Sequence, residues 1–291
     1  MALEGRRRSP DPGAADLGAV LVMTRLAPCL LMAAGVLLSA CERSGDTRSA
    51  VSAPGAAESG KTRLLEAGAD ALQDKWPVAA INTYLDGFHF YSDRQDAQME
   101  AHHYCSILNE ELIQCLIFDG NGRDAKMMGI EYIISARLFD ALPAQEKPLW
   151  HSHAYEVKSG QLVAPGVPQP AEKALMKKLV GSYGKTWHTW HTDLDKTLPL
   201  GVPQLMMGFT ADGQAQAAMV EERNRRMRID AEAKRLDRAD IAAPAPSPQA
   251  NGWLHGKAWQ ITDPTGNAHA HRQDDDYSRA SEPDRNARSS R

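Results

Sequence analysis

The 291-residue sequence holds no glycine-rich loop of the kind that cradles a phosphate, so nucleotide binding has no motif behind it. No serine sits in a recognisable nucleophile turn, and a Ser–His–Asp hydrolase therefore lacks its anchor. Neither sign of charge is in excess. The formal net charge of −4 exerts no general pull toward nucleic acid or an anionic membrane surface. Long apolar runs are missing too: the prominent one, 26–38, is too short to span a bilayer. Cysteine is scarce. Of the four, Cys29 and Cys41 lie near the N-terminus, which leaves Cys105 and Cys115 for a folded domain.

What is present is concentrated in the middle. An apolar fraction of 43% and six tryptophans suffice for one core, and nearly all large apolar residues lie between about residues 62 and 211. Residues 1–41 read instead as an export signal, with Met23 as the candidate start. After Thr24-Arg25 come the apolar stretch and the small-residue ending Leu38-Ser39-Ala40-Cys41. That ending resembles the lipobox of bacterial lipoproteins, which implies that Cys41 is acylated and holds the chain to a membrane or lipid surface. Glu42 after the cysteine points to the outer membrane, facing the periplasm; a periplasmic or secreted protein is the alternative. Residues 42–61, rich in Ser, Gly and Ala, read as a flexible tether.

The export signal bears on the remaining cysteines. In an oxidising compartment Cys105 and Cys115 are candidates for a disulfide. On one straight helix their Cα atoms would stand roughly 15 Å apart, too far to bridge. Two buried thiols are the other reading.

The pattern of residues 62–213 predicts an α+β domain. Segments near 113–118, 127–134, 151–163, 186–191 and 204–209 read as a mainly antiparallel sheet. Helices near 64–85, 136–149 and 171–183 are expected to cover one face. Asp119-Gly120-Asn121-Gly122 marks a turn, Ser135 stands where a helix cap belongs, and Gly184 follows an amphipathic helix. Beyond this domain the character changes. Residues 214–241 alternate in charge and read as a solvated helix or one that meets a protein partner; the mixed sign argues against a nucleic-acid patch. Residues 242–291 read as a disordered tail, giving flexible extensions at both ends.

Chemistry-bearing residues cluster in Leu149-Trp150-His151-Ser152-His153-Ala154-Tyr155-Glu156-Val157-Lys158-Ser159-Gly160. If extended, this run points His151 and His153 to the same side, and Glu156 away unless a bulge or turn near Ala154 brings it round. Two histidines on one face with a carboxylate nearby suit a divalent transition metal such as zinc, iron, manganese or copper. The spacing resembles the His-x-His…Glu motif of cupins, with Glu156 one or two residues early. Glu156 is then a fourth ligand or a general base. His188 is the candidate that completes the site, while His191 falls on the opposite face of its strand. Of the adjacent pair His102-His103 at most one can face a shared site, and His103 is taken as the candidate. The plain alternative is imidazoles bonded to backbone or water.

Four stretches carry a wider resemblance. His102-His103-Tyr104-Cys105, Glu131-Tyr132-Ile133-Ile134-Ser135, the histidine run just quoted, and Tyr183-Gly184-Lys185-Thr186-Trp187-His188-Thr189-Trp190 together resemble the oil-body-associated protein family over about 64–209. The resemblance implies association with a lipid surface and brings no established reaction. Two classes follow. One is a membrane-anchored, lipid-associated lipoprotein that is not catalytic; the other is a metal-dependent enzyme or metal-binding module. The resemblance favours the first.

Overall fold

Ile113, Cys115 and Ile117 are buried while their neighbours are half-exposed, the two-residue period of a strand with one face inward. In the computed structural model, which describes residues 45–257 and 259–261, that strand belongs to a closed antiparallel sheet. The export signal, Cys41 and the tail beyond residue 261 lie outside the described residues.

The strands are β1 (Thr83–Tyr91), β2 (Arg94–Ile107), β3 (Leu112–Phe118), β4 (Met127–Ile134), β5 (His151–Ser152), β6 (Tyr183–His188) and β7 (Gln204–Met207). Their order is β4-β3-β2-β1-β7-β6-β5, and a further β4–β6 pairing closes six of them into a barrel. Closure leaves those six without a free edge. The two-residue strand β5 shares the β6 edge with β7. The α+β class and the antiparallel sheet are as the pattern predicts. Closure is not written in any one segment.

Cys105 on β2 and Cys115 on β3 stand directly opposite in the register, with Cα atoms 4.0 Å apart, and form a disulfide. The helical case, in which they could not meet, does not arise because the intervening residues make a hairpin. Around them Leu85, Met99, Ala101, Ile117, Ile133 and Met206 build the apolar interior, joined from outside by Met176 and Leu179 of α5 (Gln169–Leu179). On the other face of β1 and β7, Phe88, Phe90, Leu205 and Met207 pack with Phe209 and are covered in part by Met219, Val220 and Trp253.

Several segments differ from expectation, each for a tertiary reason. Residues 64–85 do not form one helix: α1 (Gly60–Leu72) is followed by a single turn, α2 (Trp76–Ala79), and then by β1, whose residues 83–90 pair continuously with β2. The helix capped by Ser135 is short, α3 (Ala136–Asp140). Residues 151–163 do not stay extended, because β5 runs off the start of β6 at Tyr183 and turns into α4 (Ala154–Ser159), which ends on Gly160 at φ 80°. The segment expected as a tether is tied down at Thr47 and Ser49: Thr47 O accepts from Asn121 N and Gly122 N, and Ser49 Oγ donates to Asp119 Oδ2 at 2.6 Å.

The charged segment 214–241 is not a solvated helix. It forms α6 (Ala217–Met227) and α7 (Ala231–Asp237), and sends two arginines into the protein. Arg223 is fully buried against Asp86 of β1 and also donates to Gln161 O at 2.9 Å. Arg238 is buried as well, donating to Val157 O and Leu162 O and facing Glu172 of α5 at 3.2 Å. A pair 137 residues apart in sequence carries no local signature. The chain continues past residue 242 as an ordered strap, with Asn251 Oδ1 accepting from Ser152 N and Ala250 packed against Phe139, Trp150 and Tyr183.

Candidate metal centre

Glu131 occupies the middle of β4 with its carboxylate inside the barrel, 1% exposed. The register places Cys115 of β3 and Thr186 of β6 on either side of it. Four imidazoles converge on its two oxygens. His103 of β2 puts Nε2 2.9 Å from Oε2, and His89 of β1 puts Nε2 3.7 Å from the same atom. His153 Nε2 lies 3.1 Å from Oε1, and His151 Nε2 lies 3.5 Å from it, beyond a good hydrogen bond. His188 stands behind, its Nε2 3.4 Å from His89 Nδ1.

The turn from β5 into α4 explains how one short run delivers three of these groups. His151 is on the strand, His153 is the residue before α4, and Glu156 lies in its first turn. The helical turn brings Glu156 round, so that ligand atoms of His151, His153 and Glu156 lie within 4.8 Å of one another. Those of His89, Glu131 and His151 do so as well. All these side chains are buried.

Two glycines keep the space open. A Cβ on Gly184 would overlap Glu131 Oε1 and come within 2.8 Å of His151 Nε2. A Cβ on Gly208 would stand 2.7 Å from Glu156 Oε2 and 3.0 Å from His151 Cδ2.

Hydrogen bonds assign two of the tautomers. His103 Nδ1 faces Ala101 O at 3.0 Å, and since a carbonyl only accepts, Nδ1 carries the proton. Ser182 Oγ donates its proton to Leu179 O at 2.7 Å and so accepts from His153 Nδ1 at 2.9 Å. Both rings thereby turn Nε2 to the Glu131 carboxylate. His151 has neither ring nitrogen hydrogen-bonded, and Glu156 Oε2 is also without a partner.

Burial and the neighbouring groups act in opposite directions on the cluster. Burial pushes the Glu131 carboxyl up, but the imidazoles of His103, His151 and His153 outweigh it and hold the group well below its usual value. Burial keeps His89 and His153 below the usual imidazole value and takes His188 down to about 3. Burial and the charge of Glu131 raise Glu156 well above the ordinary carboxylate range.

A second cluster is of another kind. Asp86, Glu100 and His102 also lie close together, on the outer side of β1 and β2. There Arg223 pairs with Asp86 and Arg226 with Glu100 at 2.5 Å, so the charge is already met.

The structure thus gathers His103, His151, His153, His188 and Glu156 at one place, and turns His102 away from it. His191 stays outside, its Nδ1 3.3 Å from Tyr91 Oη. Sequence reasoning passed over His89 and Glu131, the latter being the hub. Its signal was a glutamate in register with Gly129 and Ile133 on the inward face of an otherwise apolar strand.

Comparison with known proteins agrees with this frame. The family described as "Protein of unknown function (DUF1264)" matches residues 75–242. Oil body-associated protein 1B of Arabidopsis thaliana is 43% identical over 217 residues, 74% of this chain and 90% of that protein. This chain belongs to the oil body-associated protein family. Oil body-associated protein 1A of Zea mays is 42% identical over 194 residues, covering 67% of this chain and 82% of the relative. For oil body-associated protein 2A of Zea mays the figures are 39% over 213 residues, 72% and 84%. No solved structure matches. The family match extends through α6 and α7 to residue 242, so in this oil body-associated protein homologue those helices fall within the matched region.

Proposed function

We propose that the protein binds a divalent transition metal inside its barrel and works at a lipid surface. The observation that carries the metal reading is His151. It is completely buried, and neither ring nitrogen has a hydrogen-bond partner. Leaving such a group unsatisfied costs about 1–3 kcal/mol, and Glu156 Oε2 adds a second such cost beside it. A metal ion answers both at once. The donor set of imidazoles and carboxylates suits zinc, iron, manganese or copper rather than calcium. Glu156 would hold the ion together with His151 and His153, and the ion would supply Lewis-acid chemistry there.

The test is elemental analysis of the full chain purified without a histidine tag, beside a His151→Ala/His153→Ala double variant. Metal in the wild type and none in the variant supports the reading. No metal in either sinks it.

The lipid-surface part is supported by the names of the relatives and by α1, where Leu64, Leu65 and Leu72 are 73%, 64% and 87% exposed, followed by the exposed Trp76. An exposed helix that presents leucines among charged residues suits the boundary of a lipid layer. Acylation at Cys41 would supply a second attachment and place the protein at the outer membrane. Labelling with a radioactive fatty acid checks this: label present in the wild type and retained in Cys41→Ser would refute acylation at that residue.

A further inference from the structure

We infer that the barrel holds a pair of metal ions bridged by the carboxylate of Glu131. The inference rests on the metal-binding reading and adds its nuclearity and bridging group. The shortest approaches divide the imidazoles between the two oxygens of Glu131. Oε2 meets His103 and His89, whose Nε2 atoms are 3.3 Å from each other. Oε1 meets His153 and His151, and the same two rings lie within 4.8 Å of the Glu156 carboxylate.

The spacings match those of ligand atoms around an ion. Donors bonded at about 2.1 Å stand about 3.0 Å apart at right angles and about 3.4 Å apart at the tetrahedral angle. The distances on the Oε2 side are 2.9, 3.3 and 3.7 Å, and those on the Oε1 side 3.1 and 3.5 Å. Each side is also oriented in the same way: His103 Nδ1 is held by Ala101 O and His153 Nδ1 by Ser182 Oγ, so each ring turns Nε2 toward its own carboxylate oxygen. That arrangement occurs once on each oxygen, which gives two places for an ion rather than one.

The remaining groups then take distinct parts. His89, His103 and Glu131 Oε2 hold one ion; His151, His153, Glu131 Oε1 and Glu156 hold the other. His188 is not a ligand in this arrangement but a positioning residue, accepting from His89 Nδ1 so that His89 Nε2 faces the ion. Ser182 and the Ala101 carbonyl do the same for His153 and His103.

The full-length chain, stripped with chelator and checked for folding by circular dichroism, is titrated with Zn2+ in a calorimeter and separately loaded with Mn2+ for electron paramagnetic resonance. The expected result is about two ions per chain, with the Mn2+ spectrum broadened by exchange between neighbouring ions. His103→Asn and His153→Asn should each keep about one ion, and Glu131→Gln should weaken binding of both at least tenfold. One ion per chain in the wild type overturns the pair while leaving the metal-binding reading in place. Two ions with the resolved hyperfine pattern of isolated Mn2+ overturn the bridge. No binding of either metal by the folded chain overturns both readings. Should Glu131→Gln fail to fold, the two histidine variants and the wild-type spectrum still decide the matter.

Discussion

Gly184→Ala tests the geometry of the centre more sharply than removal of a ligand would. Gly184 lies in β6 with β4 on one side, through Ile133, and β5 on the other, through His151. Its backbone is held in ladders on both edges and has little freedom to retreat. The added methyl would overlap Glu131 Oε1 and press on the His151 ring, both buried and themselves packed. Forcing a methyl into a filled interior costs about 1–3 kcal/mol, and with backbone and carboxylate as the obstacles the upper half of that range applies. For a domain of this size each kcal/mol moves the midpoint by about 2–4 °C, so a fall of about 5–10 °C is expected. Metal content should fall with it, because the methyl takes the place of a ligand atom. Gly68→Ala is the control: a Cβ there meets nothing within 4 Å, and α1 gains helix propensity. Its midpoint should be unchanged or slightly higher. Thermal unfolding by circular dichroism with elemental analysis of the same samples reads both. A Gly184→Ala protein with wild-type midpoint and full metal content would refute the packing argument and the site together.

Three further outcomes follow from the same structure. Reducing the Cys105–Cys115 disulfide frees a loop with a sequence separation of 10, which loop-closure entropy values at about 3 kcal/mol; a denaturation midpoint unmoved by reductant would contradict it. Arg223→Ala leaves Asp86 charged and buried without its guanidinium and should cost about 3–5 kcal/mol, while Arg235→Ala, which removes an exposed pair with Glu232, should leave the midpoint alone. Acid should expose the same pair. Burial pushes the Asp86 carboxyl up, but His102 and Arg223 outweigh it and hold it below its usual value. Its folded value is thus below the unfolded one, so its contribution is present above about pH 4 and lost as pH falls further. Asp86→Asn should flatten that limb of the stability–pH curve, and an unchanged slope would count against the assignment.

What could be read without the structure was whatever is encoded within a few residues. The turn Asp119-Gly120-Asn121-Gly122 and the alternating strands on either side of it announced β3 and β4, since side-chain period and turn chemistry are local properties. His151, His153 and Glu156 stood out because their spacing is short, and the turn at Ala154 needed to unite them could be named in advance. The hub could not. Glu131 is an ordinary glutamate in its own strand and becomes the centre of the histidine cluster only when β6 closes the barrel against β4 and brings His151 and His153 across. His89 and His103 reach it through the β1–β2 hairpin, a pairing between residues that say nothing of one another in sequence. The same holds for Arg223 and Arg238, which look solvated in a charged helix and are buried because acids and carbonyls far along the chain await them. Local sequence decides which way each side chain points. Only closure of the barrel decides what it meets there, because contact energy depends on neighbours that chain connectivity does not specify.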